Sequence, residues 1–152
     1  MKERSVIHST FVIERSYAVT PQRVFAFFAD PAKKRRWFAP DEGAQIEEYE
    51  MDFRVGGRER KSFRFDAGPP CENDTIYQDI LPDRRIVFAY TMTIGDHRMS
   101  SCQSTVELLP TEKGTDLIFT EQAAFFENSD GPEIREKGWR LLLDRMASEL
   151  GR

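Results

Sequence analysis

The stretch 130-DGPEIREKGWRLLLDRM-146 predicts a long amphipathic helix near the end of the chain. Its first residues, Asp130-Gly131-Pro132-Glu133, combine a capping residue, a proline near the helix start and an acid in the first turn. A helix with one apolar stripe is stable where that stripe covers another apolar surface, so the rest of the fold must supply one. The stripe consists of residues spaced close to the helical repeat: Ile134, Trp139, Leu142, Leu143, Met146 and Leu150.

The surface that this helix covers is predicted from residues 44–124, which form a run of extended segments separated by turn-rich residues. Short strands joined by tight turns indicate an antiparallel meander. Residues 10–19 predict a further strand, which gives a sheet of about seven strands. The six segments of the meander are about 45–54, 57–66, 72–80, 84–93, 98–109 and 115–124.

Two short helices are predicted between the first strand and the meander. Thr20-Pro21 and Asp30-Pro31 each place a capping side chain before a proline at the first helical position. The second helix contains the run 33-KKRR-36, which we interpret as a solvated helix face. The functional alternative is that this run steers carboxylated ligands to an entrance.

The glycine pair Gly56-Gly57 lies inside 52-DFRVGGRERKSFRF-65, with arginines on both sides. Glycines among cations can cradle a phosphate, but the known phosphate loops open a helix and follow a different spacing. Here the pair lies between two extended segments, so it predicts a sharp turn or bend in conformations closed to other residues.

Alternation along the strands predicts which side chains face the helix. In 84-RRIVFAYTM-92 the large apolar side chains share one side, whereas in 98-RMSSCQSTVEL-108 the even positions include small and polar residues. Glu121 shares a side with Phe119. Small and polar inward positions leave space, so we expect a cavity between sheet and helix, with Glu121 and Arg98 near its polar end. The alternative is that these polar residues lie beyond the helix and face water.

Composition excludes several classes of protein. A chain of 152 residues is the size of one domain, so we expect residues 1–152 to form a single domain. The net charge of −4 argues against nucleic acid as the main partner. Cys71 and Cys102 follow no disulfide or zinc pattern, and no segment predicts a signal peptide or a membrane span. We therefore expect a cytoplasmic protein.

Five stretches carry a family likeness: 11-FVIERSYAVTPQRVFAFFADPAKKRRWFAP-40, DFRVGGRE (52–59), 77-YQDILPDRRIVFAY-90, 117-LIFTEQAAFF-126 and 130-DGPEIREKGWRLLLDRM-146. With their order, they resemble the START/birch-pollen-allergen (SRPBCC) superfamily, and within it the branch named after the activator of heat-shock-protein-90 ATPase homologue domain. The resemblance covers nearly the whole chain. It implies an α+β helix-grip fold, in which a curved antiparallel sheet of about seven strands wraps around a long C-terminal helix and two short helices follow the first strand.

Members of this superfamily hold small hydrophobic molecules between the sheet and the last helix. The resemblance implies that Trp37 and Phe38 stand at the mouth or wall of such a cavity, and that Trp139 and Leu143 form its roof. Together with the inward-facing positions, it gives these predicted cavity residues: Trp37, Phe38, Phe53, Phe63, Phe65, Tyr77, Phe88, Tyr90, Arg98, Cys102, Phe119, Glu121, Trp139 and Leu143.

Metal and nucleophile motifs give little support to catalysis. His8 and His97 belong to no cluster with zinc-ligand spacing, so no metal is predicted. No GxSxG elbow occurs and neither cysteine has a neighbouring histidine in sequence, although a Cys102–His97 pair across a hairpin stays open. The catalytic residues, if any, are unknown.

Glu121 is the ionisable residue of greatest interest. If aromatic residues desolvate it, its pKa should be raised, and it could act as a general acid or base on a bound ligand. The alternative is that Glu121 pairs with Arg98 or Arg58 and only shapes the site.

Three functions follow, in order of preference. The first is binding of a small, largely hydrophobic ligand, with or without a carboxylate, by a carrier or sensor that needs no cofactor. The second is an enzyme of the same fold, a cyclase, dehydratase or hydrolase that uses pocket Glu, Tyr and Arg side chains, with Tyr77 and Tyr90 as hydrogen-bond donors to a carbonyl. The third is a chaperone-associated interaction module, which is weakest because the eukaryotic activators also use a separate N-terminal domain that these 152 residues lack. We expect neither nucleic-acid binding nor membrane insertion, and pairing of edge strands offers a route to a homodimer.

Overall fold

The computed structural model describes residues 4–40 and 43–151 of the chain. Within these residues the chain forms three helices and seven strands, in the predicted order. No helix in the described ranges is long and apolar enough to cross a lipid bilayer. The elements are β1 (Ile7–Tyr17), α1 (Pro21–Ala29), α2 (Pro31–Phe38), β2 (Gln45–Met51), β3 (Arg58–Arg64), β4 (Cys71–Leu81), β5 (Arg85–Ile94), β6 (His97–Thr111), β7 (Gly114–Phe125) and α3 (Pro132–Leu150).

The strands form one antiparallel sheet in the order β1-β7-β6-β5-β4-β3-β2. Strands β2 to β7 are hairpin neighbours in succession, so the predicted meander is confirmed. Strand β1 pairs with β7 and is the outermost strand on the other side of the sheet. The two edges are therefore β1 and β2, and pairing of either edge with a second copy of the chain stays a prediction.

The two short helices begin where the capping signals predict. The Thr20 hydroxyl accepts a hydrogen bond from the Arg23 N–H, and the Asp30 carboxylate accepts from the N–H groups of Ala32 and Lys33. The start of α3 differs from the prediction, because its cap residue is Gly131 and no side chain caps it. Asp130 instead holds the side chain of Arg135, as described below.

Helix α3 covers the middle of the sheet, which is the helix-grip arrangement. Its Trp139 ring lies 4.4 Å from the Phe119 ring on β7 and 6.2 Å from the Phe88 ring on β5, measured between centroids. Leu143 and Met146 are fully buried on the same face. The helical repeat placed Ile134 in the same stripe, but this residue is exposed, near the start of α3.

The glycine pair forms a tight turn between β2 and β3, so the predicted sharp turn is confirmed. Gly56 has a φ of +83°, and the Gly57 N–H donates to the Arg54 carbonyl at 2.8 Å. A Cβ added to Gly57 would lie 2.1 Å from the carbonyl oxygen of Asp52. Backbone hydrogen bonds also join this turn to Tyr77 of β4, so the close approach of three backbone segments requires glycine.

Replacing Gly57 with alanine is expected to lower the free energy of unfolding by about 1–3 kcal/mol, because the added methyl group forces the turn away from Asp52 and Tyr77. Urea denaturation followed by circular dichroism measures the change. The matched control is Gly138→Ala in α3, where an added Cβ meets nothing within 4 Å. That control should raise the free energy of unfolding by about 0.5–1 kcal/mol, since alanine is the better helix former. Equal effects of the two substitutions would contradict the steric explanation.

Candidate functional site

A chamber of about 410 Å³ lies between the sheet and α3. Strands β2 to β5 form its floor, α3 forms its roof, and the end of α2 forms one side. This volume lies within the range of about 300–1,000 Å³ that is typical of small-molecule sites. The lining residues are Lys34, Phe38, Pro40, Gly43, Ala44, Ile46, Glu59, Lys61, Phe63, Phe65, Asn73, Thr75, Phe88, Tyr90, Met92, Ile94, Asp130, Ile134, Arg135, Gly138, Trp139, Leu141, Leu142 and Arg145.

The side-chain repeat of strands and helices explains why these residues line the chamber. Along β5 every second side chain, from Phe88 to Ile94, faces it, and Glu59, Lys61 and Phe63 do the same along β3. On α3 the lining positions recur at steps of three and four residues, which is one helical face. The wall is mainly aromatic and aliphatic, with charged groups at a few positions.

The mouth of the chamber carries large apolar side chains in contact with solvent. Phe65 in the turn after β3 is 57% exposed, and Ile134 and Leu141 on α3 are 61% and 62% exposed. Exposed side chains of this size at the rim mean that the chamber opens to the surface.

Lys34 and Glu59 form a buried ion pair at the base of the chamber. The Lys34 Nζ lies 2.6 Å from the Glu59 Oε1, and both residues are almost fully buried. The hydroxyl groups of Tyr77 and Tyr49 each donate to the Glu59 carboxylate, both at 2.6 Å. Burial, followed by the Glu59 charge, raises the pKa of both tyrosines, so both remain protonated donors. The Glu59 carboxylate is thus paired with Lys34 and accepts hydrogen bonds at both of its oxygens from protein groups.

Lys61 is a second buried lysine in the chamber wall, and no carboxylate in the described part of the chain is bonded to it. Its Nζ donates to the carbonyl oxygen of Phe38 at 2.8 Å and lies 3.9 Å from the centre of the Phe38 ring. Burial lowers the pKa of Lys61, the charge of Glu59 raises it in part, and the charges of Lys34 and Arg145 lower it, so that the resulting pKa is about 7. Lys61 is therefore a cation that changes its charge near neutral pH.

A second polar network joins chamber-lining residues of β5 and α3 to Glu121 on β7, which lies outside the wall. Arg135 on α3 donates to both carboxylate oxygens of Asp130 at 2.9 Å, and to the Tyr90 hydroxyl at 3.1 Å. The Tyr90 hydroxyl also accepts from the Trp139 indole N–H at 3.2 Å and donates to the Glu121 carboxylate at 2.7 Å. This network fixes the orientation of α3 on the sheet.

Glu121 is completely buried, as the alternation along β7 predicts. Burial raises its pKa, while hydrogen bonds from Tyr90 and Ser104 and the charge of Arg135 lower it in part, so the predicted direction is confirmed. The predicted partners Arg98 and Arg58 do not contact it. Arg135, which the sequence did not single out, supplies the nearby positive charge through Tyr90.

The predicted cavity residues fall into three groups. The first group borders the chamber: Phe38, Phe63, Phe65, Phe88, Tyr90 and Trp139. The second group lies outside the chamber wall, packed into the core or against its edge: Trp37, Phe53, Tyr77, Cys102, Phe119, Glu121 and Leu143. The third group is Arg98 alone, which is exposed.

The inward position predicted for Arg98 is wrong because β6 contains a bulge. Met92 of β5 pairs with Ser100, but Thr93 pairs with Arg98, so Met99 is the extra residue. Met99 and Ser100 are consequently both buried, and the alternation reverses for the residue before them. Strict alternation from Cys102 backwards therefore places Arg98 on the wrong face.

Six charged residues of the wall were missed, and three of them, Lys34, Glu59 and Lys61, lie on α2 and β3. The interpretation of 33-KKRR-36 as a solvated face is wrong for Lys34, which is 3% exposed. Glu59 and Lys61 alternate in phase with Phe63 along β3, and that phase was the available signal. Charged side chains in a strand usually indicate a solvent-facing position, so their charge argued against the inward position that the alternation indicated.

Chemical groups suited to metal or nucleophile chemistry do not converge in the described residues. No cluster of three or more His, Cys, Asp or Glu residues with metal-binding geometry occurs in residues 4–40 and 43–151. His97 contacts the Glu127 carbonyl, whereas Cys102 faces Arg135, so the alternative Cys102–His97 pair does not form. Cys71 and Cys102 are both buried and unpaired.

Comparison with protein families gives a match over residues 18–151 to the model described as Activator of Hsp90 ATPase homolog 1-like protein. This match confirms the resemblance drawn from the five stretches, and it is consistent with the SRPBCC superfamily. The comparison with curated proteins gave no match.

Several solved structures share the fold. The Mll3558 protein from Rhizobium loti is 50% identical, with a TM-score of 0.90 and coverage of 96% of this chain and 99% of that chain. A protein from Rhizobium leguminosarum is 37% identical, with a TM-score of 0.92 and coverage of 99% of both chains. An AHSA1-like protein from Aeromonas hydrophila is 19% identical over 94% of this chain and 92% of its own, with a TM-score of 0.68, and this likeness concerns the fold alone.

Proposed function

The chain belongs to the family described as Activator of Hsp90 ATPase homolog 1-like, and from that premise we propose that it binds a small, largely hydrophobic molecule in the chamber under α3. In this proposal the protein is a carrier or sensor, built as one domain, that acts in the cytoplasm. The cytoplasmic assignment is supported by two buried, unpaired cysteines, which are the usual state in a reducing compartment.

The observation that carries the proposal is the unfilled volume itself. Protein interiors are normally packed to the density of organic crystals, so about 410 Å³ of space under a helix is not a packing defect of ordinary size. Its wall is mostly aromatic and aliphatic. An apolar ligand that binds there would leave water and contact apolar side chains instead, which is favourable.

Binding is favoured over catalysis by the state of the two tyrosines that the enzyme alternative requires as donors. An enzyme needs an acid, a base or a donor that is free to converge on one point of the ligand. The Tyr90 hydroxyl donates to Glu121, and the Tyr77 hydroxyl donates to Glu59. Both hydroxyl protons are thus committed to protein carboxylates. No observation on the described residues favours the chaperone-associated alternative.

The test uses Gly138, which lies on the chamber face of α3 with open space around its Cβ position. Gly138→Leu is expected to weaken binding of the neutral fluorophore N-phenyl-1-naphthylamine at least about tenfold, because the new side chain occupies the space that the probe requires. Fluorescence titration measures the affinity, and circular dichroism checks that both proteins are folded.

The matched control is Gly138→Ala, which adds one methyl group at the same place. It should bind the fluorophore like the unmodified protein, because a single methyl group leaves most of the volume open. If Gly138→Leu is folded and binds the probe as well as Gly138→Ala does, the chamber is not the binding site and the proposal is wrong.

A further inference from the structure

Among residues 4–40 and 43–151, those that line the chamber carry more positive than negative charge. Four basic and two acidic side chains line it: Lys34, Lys61, Arg135, Arg145, Glu59 and Asp130. Both acids are already engaged, Glu59 by Lys34 and Asp130 by Arg135. Within residues 4–40 and 43–151, neither Lys61 nor Arg145 forms an ion pair with a carboxylate.

From these contacts we propose that Lys61, assisted by Arg145, binds the carboxylate of the ligand, so that the chamber takes apolar monocarboxylic acids. This inference rests on the proposed binding function and names its ligand class. An acid of this kind would lay its apolar part against the aromatic wall and its carboxylate against the Lys61 ammonium.

The position of Lys61 supports this role more than that of any other lining cation. The residue is only 7% exposed. Within the described ranges its ammonium makes one hydrogen bond, to a backbone carbonyl, which leaves two N–H donors for a ligand. A buried ammonium without a counter-ion is costly, and an incoming carboxylate removes that cost. Arg145 is exposed, also lines the chamber, and acts on the charge of Lys61, so it extends the same positive region toward solvent.

The charge of Lys61 depends on all the groups that surround it. Glu59 on the same strand and Cys71 on β4 favour its charged form, whereas burial, Lys34 on α2 and Arg145 on α3 oppose it. With a pKa of about 7 in the free protein, Lys61 is charged below neutral pH and largely uncharged above it. A bound carboxylate favours the charged form, so carboxylate affinity must fall as the pH rises through the free-protein pKa.

The experiment compares decanoate with 1-decanol, which share the alkyl chain and differ in charge. At about pH 6, Lys61→Met is expected to weaken decanoate binding about 30-fold and to leave 1-decanol binding within about threefold. Isothermal titration calorimetry measures both affinities. Lys137→Met, an exposed lysine of α3 outside the chamber, removes the same charge from the protein and should change neither affinity.

The unmodified protein supplies a second measurement, which holds even if Lys61→Met does not fold. Between about pH 6 and pH 9 its decanoate affinity should fall at least about tenfold, while its 1-decanol affinity stays constant. A flat decanoate profile, or equal losses for the two probes in folded Lys61→Met, overturns the carboxylate site and leaves the chamber as an apolar site. If neither probe binds the unmodified protein, the binding function itself is wrong.

Discussion

Replacing Glu59 with glutamine is expected to lower the free energy of unfolding by about 3–5 kcal/mol, as measured by urea denaturation. The substitution keeps the size of the side chain and an acceptor oxygen for the tyrosine hydroxyls, but it removes the counter-ion of Lys34. Because Lys34 is 3% exposed, its ammonium would be left uncompensated in the interior.

A double variant separates charge from packing. Adding Lys34→Met to Glu59→Gln removes the uncompensated ammonium, so the double variant should be more stable than Glu59→Gln alone. The control is Glu48→Gln on β2, whose carboxylate is 43% exposed and 4.0 Å from Arg60, and it should change stability by less than about 0.5 kcal/mol. If the double variant is no more stable than Glu59→Gln, the loss does not come from the buried charge.

Replacing Arg135 with methionine is expected to cost about 3–5 kcal/mol of unfolding free energy near neutral pH, because Glu121 would lose its nearby positive charge. Arg135 donates to Tyr90, and Tyr90 in turn donates to Glu121, so this substitution also removes a donor from the Tyr90 hydroxyl. Arg140→Met is the control on the same helix, since Arg140 forms a partly exposed pair with Glu136. The control should stay within about 0.5 kcal/mol of the unmodified protein.

The loss in Arg135→Met should grow with pH. Glu121 already has a raised pKa in the folded state, and removal of Arg135 takes away one of the influences that lower it. A carboxyl group with a raised folded pKa stabilises the protein below its unfolded pKa, and this stability is lost as the pH rises through the folded pKa. The difference between Arg135→Met and the unmodified protein should therefore be larger at about pH 8 than at about pH 5. Equal differences at the two pH values would contradict the role of Glu121.

The burial of Glu121 could be predicted because β7 alternates without interruption between Leu117 and Phe125. The same rule failed for Arg98, where a single extra residue in β6 reverses the alternation. A bulge depends on the pairing of two strands, and nothing in the sequence of β6 alone distinguishes Met99 from an ordinary strand residue.

The charged residues of the chamber show a different limit. Lys34 and Glu59 are separated by 25 positions and meet only because α2 and β3 are held against each other. Read singly, each is a polar residue that favours a solvated face. The same holds for Lys61 and Arg145, because only the tertiary contacts reveal that neither has a carboxylate partner among the residues that the structure describes.

By itself the sequence determined the order of the elements, the antiparallel meander, the turn at Gly56-Gly57 and the aromatic face that meets Trp139. These features depend on periodicity and on the backbone conformation of single residues, which act within one element. The tertiary structure alone decided which aromatic side chains fill the core, which border the chamber, and which cations have no counter-ion within residues 4–40 and 43–151. Those outcomes depend on the distance between the sheet and α3, and that distance results from contacts among residues far apart in the chain.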